Sequence, residues 1–339
     1  MKSTNRQRRV FARRRKKRIA KAFCVILLVS VLACIAIAAV FIFANMKKPV
    51  SEYEDSAYQQ HVLLADLPID ALCVAAKDVS NVAFEPKGEV HAAALFEIEE
   101  REVDYAFRIH ERLYPASTTK LLTAYLALKY GNLEDMVTVS STAVGVPLDS
   151  SRAGLCTGDQ LSLETLLYGL MLPSGNDSAV AIAEHISGSV EEFTKLMNQE
   201  AAQLGATNTH FINPHGYHDE NHYTCAYDLY LIMNACIQNE TFLKLVSTAE
   251  YTTNITQKNG TYRTVTWKQS NQYVNGGKAA PQGVTVIGGK TGTTDQAGAC
   301  LVLYEISNEG SPYISIIMGA DNRPKLYQNM TDLLSTIAK

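Results

Sequence analysis

An α+β fold is what this sequence predicts: an antiparallel sheet flanked by helices, with a helical lobe, behind an N-terminal transmembrane helix. Three observations predict it. Residues 22–44 carry no charged side chain. In the rest of the chain, alternating apolar and polar residues recur near both ends, and the stretch between them is rich in helix formers with recognisable caps. Strands from both termini around a helical middle imply a sheet closed by terminal segments, with a lobe inserted between them.

The charge distribution orders the first segments. A formal charge of −3 hides an asymmetry, because eleven of the 31 Lys and Arg residues precede Ala22 with no acidic residue among them, which leaves the remainder at about −14. The run from Arg13 to Arg18 would suit nucleic acid, but the apolar run behind it points to a membrane instead, and no nucleic-acid partner is expected. About 23 residues at 1.5 Å per residue span the ~30 Å hydrocarbon core. A cleavable signal would have a shorter apolar region and a small-x-small site followed by a polar start, whereas Phe41, Ile42 and Phe43 continue almost to Lys47, so the anchor is expected to stay uncleaved. Positive charge outweighing Lys47 and Lys48 puts the N-terminus in the cytoplasm and everything after the span outside. The expected organisation is a basic cytoplasmic tail (1–21), a single-pass membrane anchor (22–45), a polar stalk with Glu52, Glu54 and Asp55 (46–68), and an extracytoplasmic globular domain (69–339). With 47% hydrophobic residues and no repeat, that domain has the composition of a packed core.

Within it, residues 91–97 and 103–109 alternate around Glu99, Glu100 and Arg101 and predict a hairpin. Residues 116–130 predict a core helix with Gly131 as its C-cap. Further helices are predicted at 163–171, 177–186 and 190–204, the last opened by Ser189 and Glu192 as a capping box and closed by Gly205. Strands return after about Thr285, at 299–306 and 313–320 around a Ser307, Asn308, Glu309, Gly310 turn, and a final helix begins near Lys325. Outside the span lie Cys73, Cys156, Cys225, Cys236 and Cys300. An odd set without a C-x-x-C reads as small buried apolar residues, with no structural disulfide and no metal or other cofactor.

Three short motifs carry chemistry. Ser117, Thr118, Thr119, Lys120 is the only Ser-x-x-Lys, placed on the first turn of the core helix after Pro115. Residues three apart share a helix face, so the Lys120 amine reaches the Ser117 hydroxyl, and N-terminal N–H groups point towards an oxyanion formed there. Such a pair arises about once in a chain of this length at average usage, and Ser117 could simply cap the helix. A cation in the first turn opposes the helix dipole, which favours a functional reading. Ser174, Gly175, Asn176 follows Pro173 between two helices; its hydroxyl suits proton relay and its amide suits a substrate or lysine contact. Lys290, Thr291, Gly292, preceded by Gly288 and Gly289, reads as a strand edge on which an extended peptide lies, with Gly292 leaving room. Lys290 supplies a cation, Thr291 or Thr293 a hydroxyl for a terminal carboxylate, and the Thr293 N–H an oxyanion donor.

Ser-x-x-Lys, Ser-x-Asn and Lys-Thr-Gly in this order resemble the set of class A β-lactamases and penicillin-binding proteins. The stretches 114–123, 166–188, 193–205, 209–216, 222–229 and 290–300 look like the low-molecular-mass, serine-type D-alanyl-D-alanine carboxypeptidases. The resemblance implies a β-lactamase/transpeptidase-like fold and removal of the terminal D-Ala from peptidoglycan stem peptides, with β-lactams as covalent inhibitors. It makes Ser117 the acylated nucleophile, Lys120 its base, Ser174 and Asn176 the second element, and Lys290, Thr291 and Gly292 the third. A lysine must lose about three pKa units, or ~4 kcal/mol, to act as a base, and burial beside Lys290 is the expected cause. Relatives often have an aromatic residue or histidine where Thr293 stands, and many carry a second β-rich domain with a C-terminal amphipathic anchor, where this chain is expected to be tethered at its N-terminus. Three readings compete. His215, His218, Asp219 and His222 form a cluster suited to a zinc-dependent D,D-peptidase, but without H-E-x-x-H spacing. A β-lactamase needs a deacylating glutamate, and no E-x-x-L-N stretch lies between Ser174 and Lys290. A membrane-anchored penicillin sensor needs signalling motifs in the tail, which it lacks.

Overall fold

A computed structural model describes residues 72–337, so the expected tail, anchor and stalk, together with residues 69–71 and 338–339, lie outside the described residues. Among the described residues no helix is long and apolar enough to cross a membrane.

The N-terminal strands β1 (Val79–Ser80), β2 (Ala92–Glu97) and β3 (Glu102–Phe107) join the C-terminal strands β8 (Val284–Thr294), β9 (Gly298–Ser307) and β10 (Pro312–Ala320) in one antiparallel sheet of order β1-β3-β2-β10-β9-β8. Pairing runs Ile316 to Ala94 on one side of β10 and Ile316 to Val302 on the other, so the two ends of the chain meet at the centre of the sheet, as the terminal alternation predicts. β8 is left at an edge. Strand periodicity splits the core. Val302, Ile314, Ile316 and Met318 face the inserted lobe, while Leu301, Leu303 and Ile317 face a C-terminal helix built on Leu326, Met330 and Leu333.

Between β3 and β8 a 3-10 turn (Ala116–Thr119) leads into α1 (Lys120–Tyr130), followed by α2 (Ser141–Val144), α3 (Leu163–Met171), α4 (Asn176–Ser187), α5 (Val190–Gln203), α6 (Ala226–Cys236) and α7 (Glu240–Ser247); α8 (Arg323–Leu334) closes the chain. α3 matches its expected bounds, and the Ser189 side chain caps α5 by accepting from Glu192 N–H. The middle is not purely helical. β4 (Met136–Thr138), β5 (Gln160–Ser162), β6 (Glu250–Thr256) and β7 (Tyr262–Lys268) form a second antiparallel sheet. Gly131 ends α1 in extended conformation rather than left-handed; its glycine is required by packing, since a Cβ there would sit 2.3 Å from Leu163 and 2.7 Å from the Ala127 carbonyl. Of the five described cysteines, all free, Cys156 is exposed on the loop before β5 and so departs from the expectation of burial.

Candidate active site

The three motifs meet where the start of α1, the start of α4 and the β8 edge converge. Ser117 lies on the 3-10 turn, one residue after Ala116, which holds φ 48. A left-handed backbone costs a non-glycine residue about 1–2 kcal/mol, so the surroundings must enforce it. Gly292 of β8 packs directly on the turn: a Cβ there would lie 2.9 Å from both the Pro115 carbonyl and the Ser117 nitrogen. The sequence assigned Gly292 to making room for a peptide; the structure shows it also makes room for the turn that carries Ser117.

Lys120 is fully buried, and its Nζ lies 3.0 Å from Ser117 Oγ, 2.7 Å from Asn176 Oδ1 and 2.7 Å from the His215 carbonyl. Burial pushes its pKa well below the usual lysine value; the Lys290 cation adds to this and Asp177 opposes it. Asn176 opens α4 and is fixed from behind, since its N–H donates to the Ser151 carbonyl. The neighbouring Asp177 carboxylate accepts from the N–H groups of Ala153, Gly154, Leu155 and Ser178, which ties the loop before β5 to the head of the helix. Ser174 holds φ 62, so both motif serines are set by a left-handed residue at or beside them.

Lys290 is also fully buried, and its Nζ donates to Ser174 Oγ and to the Thr291 carbonyl, each at 2.9 Å. Burial first, and the Arg323 cation second, lower its pKa to about 7. It therefore points inward, to the second motif, and not out along the strand. Thr291 Oγ1 is hydrogen-bonded to Ser270 Oγ at 2.8 Å, while Thr293 is exposed. Ser270 N–H in turn donates to the Leu172 carbonyl, two residues before Ser174.

The structure thus brings Ser117, Lys120, Ser174, Asn176, Lys290, Thr291 and Gly292 together, with Thr293 exposed as the next residue of β8. Sequence reasoning missed Asp177, Ser270 and the His215 carbonyl. Nothing in local sequence marks a backbone carbonyl 95 positions away as a ligand for Lys120, although Asp in the first turn of α4 was a visible cap signal. Two histidines of the cluster have other partners. His222 is buried with Nδ1 accepting from Ile212 N–H and Nε2 against Thr119 Oγ1, His215 Nδ1 accepts from Tyr217 N–H, and among the described residues no group of three or more His, Cys, Asp or Glu side chains is arranged to hold a metal.

A serine hydroxyl, an amine whose charged form burial disfavours, a second hydroxyl on a second amine and an open strand edge suffice for acyl transfer to and from an extended peptide. Known proteins share this framework. Residues 80–322 match the family model for D-alanyl-D-alanine carboxypeptidases, peptidase S11. The chain is 35% identical over 257 residues to the D-alanyl-D-alanine carboxypeptidase DacA of Haemophilus influenzae and 33% identical over 262 residues to DacF of Bacillus subtilis. These matches cover 74% and 76% of this chain but only 62% and 63% of those relatives. The crystal structure of the Streptomyces K15 DD-transpeptidase superposes with a TM-score of 0.69 at 30% identity, covering 75% of this chain and 99% of that one. Penicillin binding protein 5 from Haemophilus influenzae superposes with a TM-score of 0.65 at 32% identity over 75% and 72% of the two chains. The family match spans most of the described residues, and the chain belongs to the D-alanyl-D-alanine carboxypeptidase family, peptidase S11.

Proposed function

We propose that this protein is a membrane-anchored, serine-type D-alanyl-D-alanine carboxypeptidase that removes the terminal D-Ala from peptidoglycan stem peptides. The observation that carries the reading is the contact set of Lys120. A neutral amine has two N–H bonds and one lone pair. Asn176 Oδ1 and the His215 carbonyl accept the two N–H bonds, which leaves the lone pair for the Ser117 hydroxyl at 3.0 Å.

In this mechanism the peptide lies along the free edge of β8, with its terminal carboxylate at the hydroxyls of Thr291 and Thr293. Lys290, turned inward, contributes field rather than contact. Ser117 Oγ attacks the carbonyl of the penultimate D-Ala while its proton passes to Lys120. The tetrahedral oxyanion is met by the Ser117 N–H, on the turn before α1, and by that of Thr293. As the C–N bond breaks, the proton reaches the leaving D-Ala amine through Ser174, held by Lys290 at 2.9 Å. Water attacks the ester next and gives its proton to Lys120; the shortened peptide leaves and Ser117 regains its hydrogen. A β-lactam opens along the same path and remains as an ester on Ser117.

The location rests on the uncharged run 22–44 behind eleven basic residues, which puts the tail in the cytoplasm and residues 69–339 outside the cell. Incubation of the purified chain with penicillin and with a peptide ending in D-Ala-D-Ala tests the chemistry. Intact mass should show one β-lactam adduct at Ser117 and release of one D-Ala per peptide, both lost in Ser117→Ala. An unmodified wild-type mass would defeat the mechanism.

A further inference from the structure

The loop from Asn213 to His222 belongs to none of the three motifs, yet it grips both halves of the nucleophile-base pair. Its His215 carbonyl holds Lys120, and its Pro214 carbonyl accepts from Thr123 Oγ1 at 2.6 Å one turn further along α1. Its Gly216 (φ 82) presses on the turn before Ser117 so closely that a Cβ would fall 1.7 Å from the Ala116 carbonyl oxygen.

The last residue of the loop reaches the same carbonyl by a chain of hydrogen bonds whose direction is fixed. Ile212 N–H donates to His222 Nδ1 at 3.2 Å, so the ring proton sits on Nε2. Nε2 lies 2.8 Å from Thr119 Oγ1, and the Thr119 hydroxyl, with one hydrogen, donates to the Ala116 carbonyl at 2.8 Å. Thr119 can only accept from the imidazole. His222 is 2% exposed, and burial holds it neutral at any ordinary pH, so the chain keeps its direction. Its end point is the one residue beside Ser117 whose backbone is left-handed without being glycine.

We propose that His222 is a positioning residue for the nucleophile: through Thr119 it holds the Ala116 carbonyl, and with it the turn that aims Ser117 Oγ at Lys120. With both ring nitrogens engaged inside the fold, the imidazole has no lone pair for a metal, and the histidine that looked like a zinc ligand supports serine chemistry instead. This role rests on the reading of Ser117 as the acylated residue.

The test uses the purified full-length chain and a fluorescent penicillin, following the limiting acylation rate and the half-saturating concentration separately, with melting temperature as the control for folding. Wild-type labelling at Ser117 decides the underlying reading, and its absence overturns both. Misplacement by ~1 Å costs about 100-fold in rate. Thr119→Val, which removes one hydroxyl at nearly constant shape, and His222→Leu should each slow the limiting rate by about 10- to 100-fold with little change in half-saturation. The double variant should be no slower than the slower single one, because the two side chains act in series. His222→Gln, which keeps an N–H donor, should recover most of the loss. Thr119→Val acylating at the wild-type rate overturns the proposal, as does a folded His222→Gln as slow as a folded His222→Leu. If His222→Leu is too unstable to assay, Thr119→Val decides alone.

Discussion

The pockets around Lys120 and Lys290 contain the same pair of groups, a fully buried amine on a serine hydroxyl, at 3.0 and 2.9 Å. They differ in where the other partners come from. Lys120 is held by Asn176 and the His215 carbonyl, delivered by the head of α4 and by a distant loop, whereas Lys290 uses the carbonyl of its own neighbour Thr291 on a regular strand. Placement of the first is a property of the tertiary structure, and placement of the second is mostly local. The electrostatics form a sequence: the Arg323 cation disfavours charge on Lys290, and the Lys290 cation disfavours charge on Lys120, with burial the larger cause in both. The residue furthest along this sequence is the one best suited to be a base.

Several substitutions break or sharpen this contrast. Lys120→Arg puts a permanent cation in the first pocket and should lower acylation by about 10²- to 10⁴-fold, the usual contribution of a general base; penicillin labelling at equal protein concentration reads it. Gly292→Ala alters neither lysine but forces a Cβ to 2.9 Å from the Ser117 nitrogen. It should cost about 100-fold in the limiting rate if precise placement of the turn matters. Lys290→Ala removes the neighbouring cation, so the pKa of Lys120 rises and the acidic limb of the acylation profile moves to higher pH; an unmoved limb takes Lys290 out of that role.

The opposite face of the sheet supplies the smallest effect. Glu305, under α8, is fully buried, hydrogen-bonded to Ser315, and pushed by burial up to about 8. A carboxyl with a raised folded pKa gives its full stability below the unfolded value of about 4.5 and loses it as pH rises through 8. Wild-type melting temperature should therefore fall between pH 5 and 8 in thermal scans, while Glu305→Gln stays flatter and acylates normally. A change in acylation in that variant would show that the two faces are coupled.

What the sequence disclosed follows the same division between local and distant. α3 and the caps of α5 were legible because capping and helical period are local, and the sheet was legible because its terminal strands alternate. α6 escaped because its N-cap is Cys225, whose Sγ accepts from Asp228 N–H, a residue outside the usual capping set. β6 and β7 escaped because Thr252, Asn254, Thr264 and Thr266 line an exposed face, and Thr253 and Arg263 interrupt the apolar residues of the other, where Ile255 and Trp267 are buried. Motif residues were found by chemistry and order, whereas Ser270, Asp177 and the role of His222 depend on contacts over 21 to 103 positions that no local pattern encodes.

The left-handed backbones of Ala116 and Ser174 have a consequence for engineering. Each such residue stores on the order of 1–3 kcal/mol, and glycine at either position would release it. A directed-evolution campaign scored on heat resistance alone would favour those two glycines, and its winners would be sturdier proteins with slower chemistry.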